Sequence, residues 1–387
     1  MSIRDNPKER QSRTSVSGIR IGQIFGISIY LHPSWFLIFA LITLSLRTQF
    51  TTQHPSWSPA QHWMLGLITS ILFFGSVVFH ELSHSLVAKH YEIPVASITL
   101  FVFGGLARIV REPSSAKQEF NIAIAGPISS FFLAAIFYFV GHHSGNLEML
   151  GATSRWLAEI NFILAAFNLA PGFPLDGGRV LRAIAWKITD DFSKATRIAS
   201  RTGQVFAYLM IFAGIWIALR GNWFGGLWWI FIGWFLLSAA QETVAQVAIR
   251  NTLAGVLAAD IMSRDVPMVA RDLSLEDYVH EVLRTGRRCH VVTGNGVPVG
   301  LVTFHAAQGI PRDEWPNTSI QAAMRSLDKV KCASPPEPVL SVLERMQAED
   351  INQMPVLDGG RVVGMIARES ILRVLQTRLQ MGHLAEQ

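Results

Sequence analysis

The sequence predicts an α-helical polytopic membrane domain, with about six transmembrane helices and a small membrane-associated β-structure, followed by an α/β domain. Three observations predict it. Half of the 387 residues are hydrophobic and 16% are charged, whereas soluble domains carry about a quarter charged residues. Long apolar stretches succeed one another through the first part of the chain. After about residue 245 charges return, and β-branched strands alternate with amphipathic helical stretches.

A bilayer span takes about 20 apolar residues. The chain offers such stretches at 31–46, 64–84, 120–140, 156–175, 203–219 and 223–243. The first is short and can draw on residues from Gly22. The stretches from Pro127 to Tyr138 and from Trp223 to Leu237 carry no charge. Trp35, Trp57, Trp63, Trp156 and Trp223 lie near the predicted ends, where interfacial aromatics belong. One such stretch could be a buried helix of a soluble core, but a succession of six does not fit in one. The first twenty residues are polar, unlike a cleavable signal peptide, whose apolar core would come sooner.

Basic residues alternate between loops. Arg4, Lys8, Arg10, Arg13 and Arg20 precede the first span, and Arg47 stands alone after it. Lys89, Arg108, Arg111 and Lys117 follow the second span, and Arg155 alone follows the third. Arg179, Arg182, Lys187, Lys194, Arg197 and Arg201 follow the fourth, and Arg220 the fifth. The positive-inside rule then places both termini in the cytoplasm. This placement accounts for the net charge of +5 and the pI near 9.4. No nucleic-acid partner is needed to explain it.

The expected division is a membrane domain over 1–245, a linker over 246–256, two similar units over 257–311 and 320–378, and a tail over 379–387. Each unit reads as helix, strand, glycine turn, strand and helix. The turns are Gly294-Asn295-Gly296 and Asp358-Gly359-Gly360. Cys289 and Cys332 are the only cysteines and form no CxxC pair. That speaks against a disulfide framework and against a thiolate zinc site.

His80-Glu81-Leu82-Ser83-His84 continues the second span. Helical residues four apart share a face, so both imidazoles can reach one cation. Glu81 is then placed to take a proton from water. Polar groups in a span cost about 2.5–3.5 kcal/mol each on insertion scales and need a compensating contact. A helix end solvated at the interface would also suit these residues, and Lys89 and His90 allow it.

Catalytic zinc takes about three protein ligands, leaving a position open. The segment Asn168-Leu169-Ala170-Pro171-Gly172-Phe173-Pro174-Leu175-Asp176-Gly177-Gly178 breaks an apolar run with two prolines and three glycines. Broken backbone at membrane depth lines polar cavities, and Asp176 is the sole carboxylate there. The predicted topology brings the ends of the second and fourth spans to one side, so His80, His84 and Asp176 can meet. Asp176 could instead cap a helix starting near Gly178 and pair with Arg179 or Arg182.

An HExxH within a span followed by a distant N-x-x-P-x-x-P-L-D-G-G resembles the site-2 protease family of intramembrane zinc metalloproteases. The two C-terminal units resemble a tandem CBS domain. Together they are similar to the bacterial subgroup that includes the sporulation IVFB-type proteases. The resemblance implies one zinc ion per chain on His80, His84 and Asp176, with Glu81 as general base in peptide hydrolysis. It implies a membrane-protein substrate, such as an anti-sigma factor or a pro-transcription factor, in a bacterial inner membrane. Asn121, ahead of Gly126-Pro127, and Asn168 match family asparagines near the site. They are expected to support substrate or oxyanion, although Asn121 also fits a helix start and Asn168 a bond to broken backbone.

The stretch 95–110, with Phe103-Gly104-Gly105, reads as β-structure able to pair with an unwound substrate. A plain membrane-associated hairpin fits the same residues. CBS pairs bind adenine nucleotides through a Thr and an Asp three residues later. Here Thr303 is followed by Ala306, and Ala367 by Ser370, so the nucleotide site is unknown. A role in regulation, or in a homodimer formed through the CBS units, survives that departure. No PDZ-like insertion is visible. A CBS-gated transporter or channel, or a catalytically silent scaffold, are the competing readings, and the His-Glu-x-x-His register separates them from a protease.

Overall fold

The computed structural model describes residues 18–102, 104–109 and 111–385. It divides into two compact units, one ending at Val247 and one beginning at Ala248.

The first unit opens with strands β1 (Ile19–Ile24) and β2 (Ile27–Leu31). Residues from Gly22, expected to extend the first span, belong to this hairpin instead. Period-two alternation in β2 buries Ile27, Ile29 and Leu31. Helices α1 (Pro33–Gln53) and α2 (Pro59–His90) follow. A capping box of Ser58 and Gln61, with Pro59 in the first turn, fixes the start of α2. At 1.5 Å rise per residue, His80 lies about 30 Å beyond Pro59, a full bilayer core away.

Strands β3 (Val95–Phe101) and β4 (Gly104–Ile109) return across the end of α2. The sheet order is β1-β2-β3-β4, with β2 parallel to β3 and the other pairs antiparallel. Ile27 and Ile98 pack on Leu82, and Leu31 and Leu100 pack on Val77. Each such side chain contributes roughly 1.5–3 kcal/mol on burial. The sheet is thereby fixed to the helix that carries the histidines, and β4 is its outer strand.

Helices α3 (Ala116–His142), α4 (Glu148–Asn168), α5 (Asp176–Thr189), α6 (Phe192–Leu219) and the part of α7 (Trp223–Leu253) up to Val247 complete the unit. Among the described residues, five helices are long and apolar enough to cross a membrane: α1, α2, α3, α6 and α7. The remaining predicted span, 156–175, overlaps α4 only as far as Asn168, and residues 169–175 form the broken segment before α5. Glu148, Arg155 and Glu159 dilute the apolar character of α4, and it packs against α3 and α2. There Asn161 is fully buried and donates to Ser76 Oγ at 3.3 Å. Phe212, Trp216 and Phe224 lie exposed on α6 and α7, as lipid-facing side chains do. α7 also runs through the first residues of the expected linker, as far as Leu253.

The second unit contains two related halves. The first comprises α8 (Ala258–Ile261), β5 (Met268–Ala270), α9 (Leu275–Thr285), β6 (Cys289–Gly294), β7 (Val297–Thr303) and α10 (Phe304–Gln308). The second comprises α11 (Ile320–Ala323), β8 (Arg325–Ser326), α12 (Val339–Ala348), β9 (Gln353–Asp358), β10 (Arg361–Ala367) and α13 (Arg368–Ala385). Both hairpin turns carry two residues at positive φ, Asn295-Gly296 and Gly359-Gly360, the backbone that a two-residue type I′ turn requires. Tyr278, Val292 and Val302 centre one core; Val342, Met346 and Ile366 centre another. The Thr303 hydroxyl caps α10 by accepting from the Ala306 N–H at 3.3 Å.

Candidate active site

The HExxH segment lies in the last turns of α2, with His80 and His84 buried and Glu81 half-buried. Asp176 arrives from the far end of the unit as the first residue of α5. Its Oδ2 lies 3.0 Å from His80 Nε2 and 3.2 Å from His84 Nε2, and the two Nε2 atoms are 3.2 Å apart. Among the described residues, these three side chains are the one group of His, Cys, Asp or Glu whose ligand atoms converge this closely.

The alternative in which Asp176 caps a helix does not hold. Leu175 is the cap residue and makes no side-chain cap bond. Nor does Asp176 pair with either arginine. Arg182 donates through Nε to Glu119 Oε1 at 2.7 Å and also through a terminal nitrogen. Arg179 Nε lies 4.0 Å from the same oxygen.

The ring orientations suit a cation. His84 Nδ1 lies 2.6 Å from the Ile122 carbonyl, which can only accept. The neutral imidazole therefore carries its proton on Nδ1 and presents a bare Nε2 inward. His80 Nδ1 bonds Ser130 Oγ at 2.9 Å, a hydroxyl that can accept as well as donate and so lets Nε2 turn inward to a cation. The bare Nε2 of His84 and a carboxylate oxygen 3.2 Å away repel one another unless a cation or a proton joins them. Zinc bonds of about 2.0–2.1 Å in a tetrahedron put ligand atoms roughly 3.3 Å apart, close to the spacing seen. The residues present therefore fit a zinc ion.

Small residues make room for this cluster. Gly126 of α3 faces the imidazoles, and a Cβ there would stand 2.2 Å from His84 Nε2 and 2.6 Å from His80 Nε2. Pro127 follows within the helix and has no N–H to give; the turn before it supplies the Ile122 carbonyl to His84. Gly105 of β4 plays the same part for Glu81, since a Cβ there would meet Glu81 Cγ at 2.3 Å. The Ala107 backbone N–H is directed at the Glu81 carboxylate. Gly177, Gly178 and Gly203 bring the broken segment 169–175, α5 and α6 into backbone contact. That packing fixes where Asp176 begins its helix.

A buried ion pair holds α5 from behind. Glu119 of α3 is fully buried, and the Arg182 guanidinium lies between the rings of Phe173 and Phe192, at 4.9 and 4.6 Å from their centroids. The sequence reading missed Glu119, Arg182 and Ser130 as supports; a lone acidic residue at the start of an apolar span was the available signal for the first. Asn121 donates to Tyr91 Oη at 2.5 Å. Neither Asn121 nor Asn168 is hydrogen-bonded to His80, Glu81, His84 or Asp176 among the described residues. Gly104 and Gly105 begin β4, and Phe103 lies outside the described residues.

Gly126 gives a direct test of this geometry. Alanine is the better helix former by about 1 kcal/mol, so Gly126→Ala does not weaken α3 by propensity. Its methyl group nevertheless occupies ligand space. The purified variant is expected to hold less than about a tenth of the wild-type zinc, measured as metal per chain; full zinc occupancy would contradict the packing described.

Residues 68–154 and 147–210 match peptidase family M50, and residues 258–306 and 318–377 match the CBS domain. A Synechocystis protein named as a putative zinc metalloprotease is 36% identical over 365 residues, covering 93% of this chain and 96% of the relative. The zinc metalloprotease MJ0392 of Methanocaldococcus jannaschii is 29% identical over 361 residues, covering 92% and 96%. A solved structure of the site-2 protease from Methanocaldococcus jannaschii is 32% identical, covers 59% of this chain and 95% of its own, and aligns with a TM-score of 0.40.

Proposed function

Because the chain belongs to peptidase family M50, the site-2 protease family of zinc metalloproteases, and carries a CBS pair, we propose that His80, His84 and Asp176 hold a single zinc ion and that Glu81 is the general base of peptide hydrolysis. The convergence of two inward-facing Nε2 atoms and one carboxylate oxygen carries this reading. Zinc, when bound, supplies Lewis acidity toward water and a carbonyl oxygen. Glu81 takes the proton of the attacking water and delivers it to the leaving amine. Gly105 and Ala107 of β4 position its carboxylate. The Ile122 carbonyl holds His84 in the tautomer that turns Nε2 inward, and Ser130 orients the His80 ring.

The family acts on membrane-protein substrates. A helical substrate hides its carbonyls in hydrogen bonds, so the scissile segment must be extended. The edge of β4, beginning at Gly104 and Gly105 and without a strand partner among the described residues, is where such a segment adds as a strand. The chain is a membrane protein. The alternation of basic loops favours cytoplasmic termini in a bacterial inner membrane, which suits an anti-sigma factor or a pro-transcription factor as substrate. The CBS pair is assigned to regulation or to homodimer contact.

The test is cleavage of a co-expressed single-span reporter in isolated membranes. Stripping metal with a chelator is expected to remove cleavage, and added zinc to restore it. Cleavage that continues at full rate in metal-free membranes would overturn the assignment.

A further inference from the structure

Against β3 and β4 lies a cleft of about 680 Å³. One wall is the sheet, with Ser97 and Thr99 of β3 beside Leu106 to Ile109 of β4, and the other is α5 with Phe173. Its charge is one-sided. Arg108 and Arg111 are exposed, and neither has an ion-pair partner among the described residues. Arg179 lines the opposite wall and reaches only Glu119 Oε1, at 4.0 Å, an oxygen already taken by two donors from Arg182. Glu112 is the one carboxylate among the lining residues. Arg108, Arg111 and Arg179 outnumber it there, so the cleft keeps an excess of positive charge.

We propose that this cleft selects extended substrate segments carrying acidic side chains, with Arg108, Arg111 and Arg179 as the specificity-determining residues. The inference rests on the reading that β4 receives the substrate as an added strand. Two features favour a peptide over an anionic lipid headgroup. The edge of β4 that has no strand partner among the described residues offers alternating backbone donors and acceptors, which only another backbone uses fully. The cleft is also lined by Ala107 of β4, and Gly105 two residues earlier on that strand faces Glu81, so an occupant aligned with the strand leads toward the proposed base. Guanidinium groups suit carboxylates because their planar donors match both oxygens.

The test uses full-length, zinc-loaded Glu81→Gln protein in neutral detergent. The probes are a labelled ten-residue extended peptide bearing three glutamates and its glutamine counterpart, with binding followed by fluorescence anisotropy. The glutamate peptide is expected to bind about tenfold more tightly, the effect of two or three partly exposed ion pairs. The advantage should shrink at high salt and vanish in Arg108→Gln/Arg111→Gln, two exposed positions whose change leaves the core untouched. Equal affinity for both peptides, or a preference that survives the double substitution, overturns the proposal. So does retention of anionic lipid in proportion to these arginines without discrimination between the peptides, which would make them headgroup contacts. Reporter cleavage is scored separately: acidic selectivity without cleavage would retain the peptide site and remove the protease reading, while cleavage without selectivity would do the reverse.

Discussion

Replacing Glu81 by glutamine is expected to abolish cleavage while leaving the metal in place. The substitution keeps the shape of the side chain, so Gly105 still accommodates it and the Ala107 N–H still has an oxygen to meet. It removes the one property the mechanism uses, a carboxylate able to take and return a proton. A positioned general base contributes about 10²–10⁴-fold, and this one acts in both halves of the reaction, so a loss on the order of 10³-fold or more is predicted, about 4 kcal/mol of barrier. Reporter cleavage and zinc per chain are measured on the same preparation. Zinc unchanged with cleavage gone fits the assignment. A variant keeping more than about a tenth of wild-type cleavage would remove Glu81 from the role of base.

Replacing Glu119 by leucine should be the most destabilising single change in the membrane unit. Glu119 is fully buried, and Arg182, fixed between two aromatic rings, gives it two donors. Removing one partner of a buried pair leaves an uncompensated charge and costs about 3–5 kcal/mol. The Glu119→Leu/Arg182→Met double variant leaves no orphan charge and should recover most of that loss. Thermal unfolding in detergent, compared across wild type, single and double variants, checks both statements. A single variant as stable as wild type would show that the pair is not holding α5 against α3.

The parts of the site legible in the sequence are those set by local periodicity. Four-residue spacing places His80 and His84 on one face of a helix whatever the rest of the chain does. Asp176 was legible because two prolines and three glycines in an apolar run announce broken backbone at membrane depth. The hairpin turns at 294–296 and 358–360 were legible because positive φ demands glycine or asparagine at fixed places.

Residues whose role depends on a distant partner were not legible. The 19–31 hairpin joins the sheet by parallel pairing of β2 with β3, some seventy residues away, so its first residues read as an extension of the following span. The predicted span 156–175 overlaps α4 over 156–168, and Glu159 and Asn161 interrupt its otherwise apolar run. Its partner for Asn161 is Ser76 on α2, which no local pattern reveals. Glu119 and Arg182 are 63 residues apart and become a pair only when α3 and α5 meet. The partner of Asn121, Tyr91 on the preceding segment, is likewise set by the fold.

Zinc stoichiometry of wild-type protein beside Asp176→Ala tests the central assignment most directly, because Asp176 shares no local sequence with the histidines and reaches them only through the fold. One zinc per chain in the wild type and a loss to about a tenth or less in the variant is the predicted result. Equal zinc in both proteins would contradict it, leaving the paired histidines without the carboxylate that the fold sets 3.0 Å from His80.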